Sequence, residues 1–147
     1  MGKVFWVDEE ENVAYPDVMT LRYGSHEVVL VCSAPEALDW IVQNADEIDS
    51  FAAFVIDIQL PVDDDPRFDS EKTSKGTFAG LKLCDILREQ MPKLWGTMKH
   101  KVVLYTRLPD QSRFLHIRDY AKQHDVRLVH KTHNEYICNL LMDWGLI

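Results

Sequence analysis

The sequence lacks the features of several specialised protein classes. No apolar run approaches the ~20 residues that span a bilayer, and the stretch MGKVFWVDEE turns acidic too early for a signal peptide. Three widely spaced cysteines, Cys32, Cys84 and Cys138, form no CxxC or His-rich pattern. This spacing argues against a disulfide framework or a zinc site. We therefore expect a protein with no membrane segment, in a reducing, cytoplasmic setting.

Positive charge is also scarce. The chain has 16 Lys and Arg against 24 Asp and Glu, for a formal net charge of −8. Nucleic-acid phosphates bind basic surfaces, so this balance argues against direct binding to nucleic acid. The length of 147 residues, with 46% hydrophobic and 27% charged residues, is typical of one globular domain. We expect a single domain over residues 1–147.

What the chain does contain is five short apolar runs rich in β-branched residues. Each is nearly continuous in apolar character, as strands buried on both faces are. These predicted strands are Lys3–Val7, Glu27–Val31, Ala52–Ile56, Lys101–Tyr105 and Val126–His130. The predicted helices that alternate with them are Pro16–Tyr23 (with Pro16 in the first turn), Pro35–Asn44, Leu81–Gln90, Ser112–His124 and Asn134–Trp144. This alternation predicts an α/β fold with a parallel sheet covered by helices on both faces.

One connection is much longer than the others. Val62–Phe78 is polar and contains Gly, Pro and Ser, and it begins with the acidic run Asp63–Asp65. A connection of this length inside a compact domain is usually functional or mobile. The residues alone leave two alternatives open, a mobile solvated loop and a lid or docking element.

Polar residues follow four of the five predicted strands. They are Asp8 and Glu9, Asp57, Thr106, and Lys131. In a sheet ordered 2-1-3-4-5 they would converge on the rim where such sheets bind ligands. Carboxylates held close together repel one another unless a cation lies between them, and few carboxylates with waters suit Mg²⁺ better than Ca²⁺. We therefore predict that Asp8, Glu9 and Asp57 bind Mg²⁺ and that Lys131 pairs with a carboxylate.

The ordered set of motifs resembles a response regulator receiver domain, the phosphoacceptor module of two-component signalling. The motifs are VFWVDEE (Val4–Glu10), FVIDIQLP (Phe54–Pro61), GLKLCDILRE (Gly80–Glu89), VVLYT (Val102–Thr106) and LVHK (Leu128–Lys131). Each is weak alone, but together they follow the family's order across nearly the whole chain. The resemblance implies a flavodoxin-like (βα)5 fold, with strand order 2-1-3-4-5, in a single receiver domain that acts by itself and carries an inserted loop at 62–78.

The resemblance also implies roles for individual residues. Asp57 would accept a phosphoryl group from a histidine kinase or a histidine phosphotransfer protein. Asp8 and Glu9 would hold Mg²⁺ together with Asp57 and the backbone carbonyl of Gln59. Thr106 and Lys131 would bind the phosphoryl oxygens.

Such a domain is not a classical enzyme. By resemblance it would catalyse its own phosphoryl transfer and its slower autodephosphorylation. Its output would be a changed surface around the family's fourth helix, fifth strand and fifth helix, and an unknown downstream protein would read that surface by direct contact.

Four features depart from the family's pattern. Arg107 stands where a small residue is usual, and Leu128 stands where an aromatic residue usually moves on activation. Thr132 replaces a proline that usually follows a cis bond, and a cis bond before another residue costs about 3 kcal/mol. The inserted loop at Val62–Phe78 is the largest departure.

Other functions are therefore weighed against phosphorylation. A receiver-like interaction or scaffold module that is not phosphorylated remains the alternative, because of the departures at Arg107, Leu128 and Thr132. A haloacid-dehalogenase-type phosphatase would need a second Asp where this chain has Gln59. A flavodoxin-type binder would need a neutral phosphate loop where this chain has DEEEN (Asp8–Asn12). Both of these enzyme and cofactor-binding classes are disfavoured.

Overall fold

Five parallel strands form the centre of the molecule in a computed structural model of the chain. The structure describes residues 2–9, 11–68, 78–107, 111–130 and 137–147. The strands are β1 (Lys3–Val7), β2 (Glu27–Val31), β3 (Phe51–Asp57), β4 (Val102–Thr106) and β5 (Arg127–His130). Their order in the sheet is β2-β1-β3-β4-β5 and every pairing is parallel. The predicted flavodoxin-like strand order is confirmed.

Helices cover both faces of this sheet. They are α1 (Glu11–Tyr23), α2 (Ala34–Gln43), α3 (Ala79–Gln90), α4 (Pro92–Met98), α5 (Gln111–His124) and α6 (Ile137–Asp143). Short 3₁₀ turns cover Ala45–Ser50 and Lys99–Lys101. Among the described residues, no helix combines the length and the apolar character that crossing a membrane requires.

Two helix predictions need correction. Helix α1 begins at Glu11, so Pro16 lies inside the helix and not in its first turn. Proline removes one backbone donor without forbidding a helix whose remaining turns are packed, and Val18 and Leu21 of α1 are buried. The helix α4 is absent from the predictions, although it buries Trp95 and Met98. It lies in the same crossover as α3, so the fourth and fifth helices of the family's order correspond to α5 and α6.

The two faces of the sheet carry separate cores. The larger face is packed by alternate strand residues such as Phe5, Phe54 and Ile56, under α2, α3, α4 and α5. The smaller face is packed by the intervening residues, such as Trp6 and Val55, under α1 and α6. Strands buried on both sides explain why the runs in the sequence are continuous in apolar character and not alternating.

The first part of the long connection after β3 is packed on the larger face. Asp63 and Asp64 have φ angles of 52° and 55°, and the Asp65 N–H donates to the Val62 carbonyl at 2.9 Å. These features define a tight turn with two left-handed residues. A second turn follows, and it places Phe68, which is 1% exposed, in the larger core. The segment 62–68 is anchored by Phe68, although Asp63, Asp64 and Arg67 are exposed, and residues 69–77 lie outside the described residues.

Candidate functional site

The carboxyl ends of β1, β3 and β4 bring three polar residues together. The residue before Asp8 pairs with the residue before Asp57 in the register of β1 and β3. Asp57 in turn pairs with Tyr105, and Thr106 follows Tyr105 at the end of β4. Because paired strands lie about 4.8 Å apart, Asp8, Asp57 and Thr106 occupy one rim of the sheet. The register thus places three of the five residues that the sequence predicts to converge at the same end of adjacent strands.

All three residues are buried. Asp8 and Thr106 are 0% exposed and Asp57 is 7% exposed. The Asp8 N–H donates to the Val31 carbonyl at 3.0 Å, which fixes the backbone where β1 ends. The Gln59 N–H donates to Asp57 Oδ1 at 3.3 Å, which helps to orient that carboxylate. Two neighbouring carboxylates that are both buried favour a bound cation.

The first turn of α3 rests directly on the backbone of Asp57. The Gly80 N–H donates to the Ile58 carbonyl at 2.9 Å. A Cβ atom at Gly80 would lie 2.2 Å from the Asp57 carbonyl oxygen and 2.8 Å from the Ile58 Cα. Only glycine permits this approach, so Gly80 lets a helix buttress the strand end that carries the carboxylate.

The remaining residues discussed for the site are either exposed or outside the described residues. Glu9 is exposed just beyond Asp8, and the Gln59 side chain is exposed beside Asp57. Lys131 and Thr132 lie outside the described residues, so their roles stay predictions. Arg107 is exposed at the end of β4.

The residues present fit a magnesium ion of the kind that keeps several waters. Within the described residues, no group of three or more His, Cys, Asp or Glu side chains is arranged to hold a metal. A site built on Asp8 and Asp57, with a backbone carbonyl and water, is poorer in carboxylates than a Ca²⁺ site. This donor set suits Mg²⁺, which binds proteins through one or two carboxylates and leaves positions for phosphate oxygens.

Tyr105 is a neighbour of the site that the sequence analysis missed. It is the register partner of Asp57, and its ring meets the Trp6 ring edge-on with centroids 6.1 Å apart. Burial, reinforced by the carboxylates of Asp17 and Asp8, raises the pKa of Tyr105 to about 12. The phenol is therefore protonated at neutral pH. Its one sequence signal is a hydroxyl at the end of an otherwise apolar strand.

The fold is shared with solved receiver domains. The receiver domain of the Francisella response regulator 1452 superposes with a TM-score of 0.63 at 16% identity, covering 99% of this chain and 95% of that chain. The response regulator TrrA from Thermotoga maritima, solved in complex with Mg²⁺ and BeF, has a TM-score of 0.64 at 17% identity, with 100% of both chains covered.

A chemotaxis protein gives the same result. CheY4 from Vibrio cholerae has a TM-score of 0.63 at 17% identity, covering 99% of this chain and 97% of that chain. No protein-family model and no curated protein matches the sequence. At these identities the likeness establishes the receiver-domain fold, over the whole length of the chain.

Proposed function

We propose that this protein is a phosphoacceptor receiver in a cytoplasmic phosphorelay. Asp57 takes a phosphoryl group from a histidine kinase or a histidine phosphotransfer protein, and the phosphorylated domain then acts on a downstream protein by direct contact. The observation that carries the proposal is the Asp57 carboxylate, which ends the central strand β3, is 7% exposed and lies beside the buried Asp8.

The residues at the rim have different roles in phosphoryl transfer. An Asp57 carboxylate oxygen attacks the phosphorus of a phosphohistidine, the P–N bond breaks and the imidazole leaves. The Mg²⁺ ion would be held by Asp8, Glu9, Asp57 and the Gln59 carbonyl, and when bound it would neutralise charge on the phosphoryl oxygens. The Thr106 hydroxyl, at the end of the adjacent strand, would donate to one of those oxygens. We assign the same task to the Lys131 ammonium.

Intact-mass measurement tests this proposal. After incubation with acetyl phosphate and Mg²⁺, the wild-type chain should gain the mass of one phosphoryl group. Asp57→Ala should gain none, and chelation of Mg²⁺ should prevent the gain in the wild type. Asp64→Ala is the matched control, because it removes an exposed carboxylate from the connection after the same strand. Equal phosphorylation of Asp57→Ala would show that another residue is the acceptor.

A second function, binding without phosphorylation, is favoured by one observation. Leu128, at the position where an aromatic is usual, pairs with Leu104 and packs against the larger core. A packed aliphatic side chain offers no ring that could move on activation. A partner that binds wild type and Asp57→Ala with the same affinity, with no response to acetyl phosphate, would support this reading.

A further inference from the structure

A polar cluster joins α3 to α5. The Tyr120 hydroxyl donates to Asp85 Oδ1 at 2.6 Å and lies 3.2 Å from the Leu81 carbonyl oxygen. Arg88 Nη2 donates to the same Asp85 oxygen at 2.9 Å, and Arg88 Nη1 donates to the Tyr120 hydroxyl oxygen at 3.2 Å. Asp85, Arg88 and Tyr120 therefore close a ring of hydrogen bonds between the two helices, which we name the α3–α5 clamp.

The surroundings of the clamp strengthen these bonds. The side chains of Arg88 and Asp85 are 28% and 29% exposed, so water screens them only in part. Burial, with contributions from Cys84 and Asp85, raises the pKa of Tyr120, and its hydroxyl remains a donor at neutral pH. Hydrogen bonds that involve a charged partner are stronger than neutral ones, and partial exclusion of water strengthens them further.

One ring contact extends the same interface toward the start of α3. The Phe78 ring lies 5.1 Å from the His116 ring of α5, measured between centroids, and Phe78 is the residue immediately before α3. The Tyr120 ring also lies 4.4 Å from the His124 ring, but this contact is within α5. The interface therefore runs along α3 from Phe78 to Arg88.

The start of α3 also contacts the candidate site. Gly80 has no space for a Cβ against the Asp57 carbonyl, and its N–H is bonded to Ile58. A shift of the backbone at residues 57–58 must displace the start of α3, because there is no free space between the close-packed atoms. Asp85 and Arg88 lie on the same helix, so they move with it.

We propose that the α3–α5 clamp transmits changes at Asp57 to α5, with α3 as the rigid element between them. This inference rests on the proposed function, since phosphoryl loading is the event that would move the Asp57 backbone. The resemblance already implies α5 as part of the output surface, and the new element is Tyr120 as the residue that couples α5 to the site through α3.

Backbone hydrogen exchange on the full chain tests the coupling. Wild type, Tyr120→Phe and Tyr23→Phe are compared with and without Mg²⁺ and beryllofluoride. Tyr120→Phe removes only the clamp hydroxyl, and Tyr23→Phe removes the same atom from a residue that is 82% exposed. In wild type and Tyr23→Phe, loading should change exchange in both α3 and α5. In Tyr120→Phe the α3 response should remain and the α5 response should fall by about fivefold or more, the lower range of coupling between linked sites.

A ligand-free arm separates the coupling from the proposed function. Gly80→Ala displaces the start of α3 directly. If that variant does not fold, Ile58→Val is the milder second variant, since it loosens the buried side-chain packing beside the same backbone contact. Either change should raise exchange in α5 in the wild-type background and have little further effect on α5 in the Tyr120→Phe background. Independent, additive effects would overturn the clamp. If wild type fails to bind beryllofluoride, the proposed function fails, and this arm alone decides the coupling.

Discussion

The larger face of the sheet is packed by apolar and aromatic side chains, whereas the smaller face holds polar groups in its interior. On the larger face, the Phe5 ring lies 4.8 Å from Trp40 and the Phe51 ring lies 5.6 Å from Phe54, between centroids. On the smaller face, the indole N–H of Trp6 is buried and, in the described part of the chain, has no hydrogen-bond partner.

This difference matters because the candidate site belongs to both faces. Alternation along β3 places Asp57 in the same row as Val55 of the smaller core. The helix that buttresses its backbone, α3, belongs to the larger core. We infer that the larger face supplies rigidity, whereas the Asp57 carboxylate belongs to the row of side chains on the smaller face, which also holds polar groups. Four substitutions test how far this division of roles extends.

The largest effect is expected from Phe54→Ala on the larger face. Phe54 is fully buried, so truncation leaves a cavity and should lower the free energy of unfolding by about 3–5 kcal/mol. Urea unfolding measures the change. Val42→Ala, at a position 48% exposed, is the control and should stay within about 0.5 kcal/mol of wild type. If Phe54→Ala lowered the free energy of unfolding only slightly, the larger face would not be the main source of rigidity.

Gly80→Ala is expected to have the next largest effect. The added methyl group would overlap the Asp57 carbonyl, so the helix or strand end must shift, which costs about 1–3 kcal/mol. Gly96→Ala is a matched control inside α4, where the added Cβ meets no atom within 4 Å apart from its chain neighbours and the nearby backbone of its own helix. It should stabilise the protein by up to about 1 kcal/mol through helix propensity. Equal stability changes in the two variants would contradict the close contact at Asp57.

Trp6→Phe should lower the free energy of unfolding only slightly, although Trp6 is large and buried. The substitution loses apolar contacts, but it also removes a buried donor whose desolvation costs about 1–3 kcal/mol. We expect a net loss of about 1 kcal/mol or less, since the two contributions oppose each other. Trp95→Phe on the larger face serves as the comparison and should cost more. If Trp6→Phe lowered the free energy of unfolding more than Trp95→Phe did, the indole N–H of Trp6 would not be an unfavourable group in the smaller core.

Arg67→Ala should have the smallest effect. Arg67 bonds Asp65 and Asp39 on the surface, and exposed pairs contribute about 1 kcal/mol or less. The hydrogen bonds from Arg67 lower the pKa of Asp65. A carboxyl with a lowered pKa adds stability above its unfolded pKa of about 3.9, and this stability is lost as the pH falls through the folded pKa.

The pH dependence makes the Arg67 prediction specific. The difference in unfolding free energy between wild type and Arg67→Ala should be present at pH 7 and shrink as the pH drops below about 4. Arg118→Ala, at an exposed position on α5, is the control. A difference that grows on acidification would show that Arg67 acts through something other than its carboxylate partners.

Much of the site could be predicted because its residues follow apolar runs. Asp8 and Asp57 end such runs, and parallel strands bring their carboxyl ends to one rim. Tyr105 was missed because its pairing with Asp57 depends on register between distant segments. Helix α4 was missed because its seven residues include a proline and a glycine, which read as a connection in isolation.

The apolar runs by themselves determined the strands and the parallel α/β class, because a strand buried on both faces needs apolar residues at every position. Tertiary structure alone decided that Gly80 touches the Asp57 backbone, that Phe68 anchors the long connection, and that Tyr120 reaches Asp85. Each of these contacts joins segments far apart in the chain. No local pattern of residues records such a contact, since its distance exists only once the sheet and helices have packed.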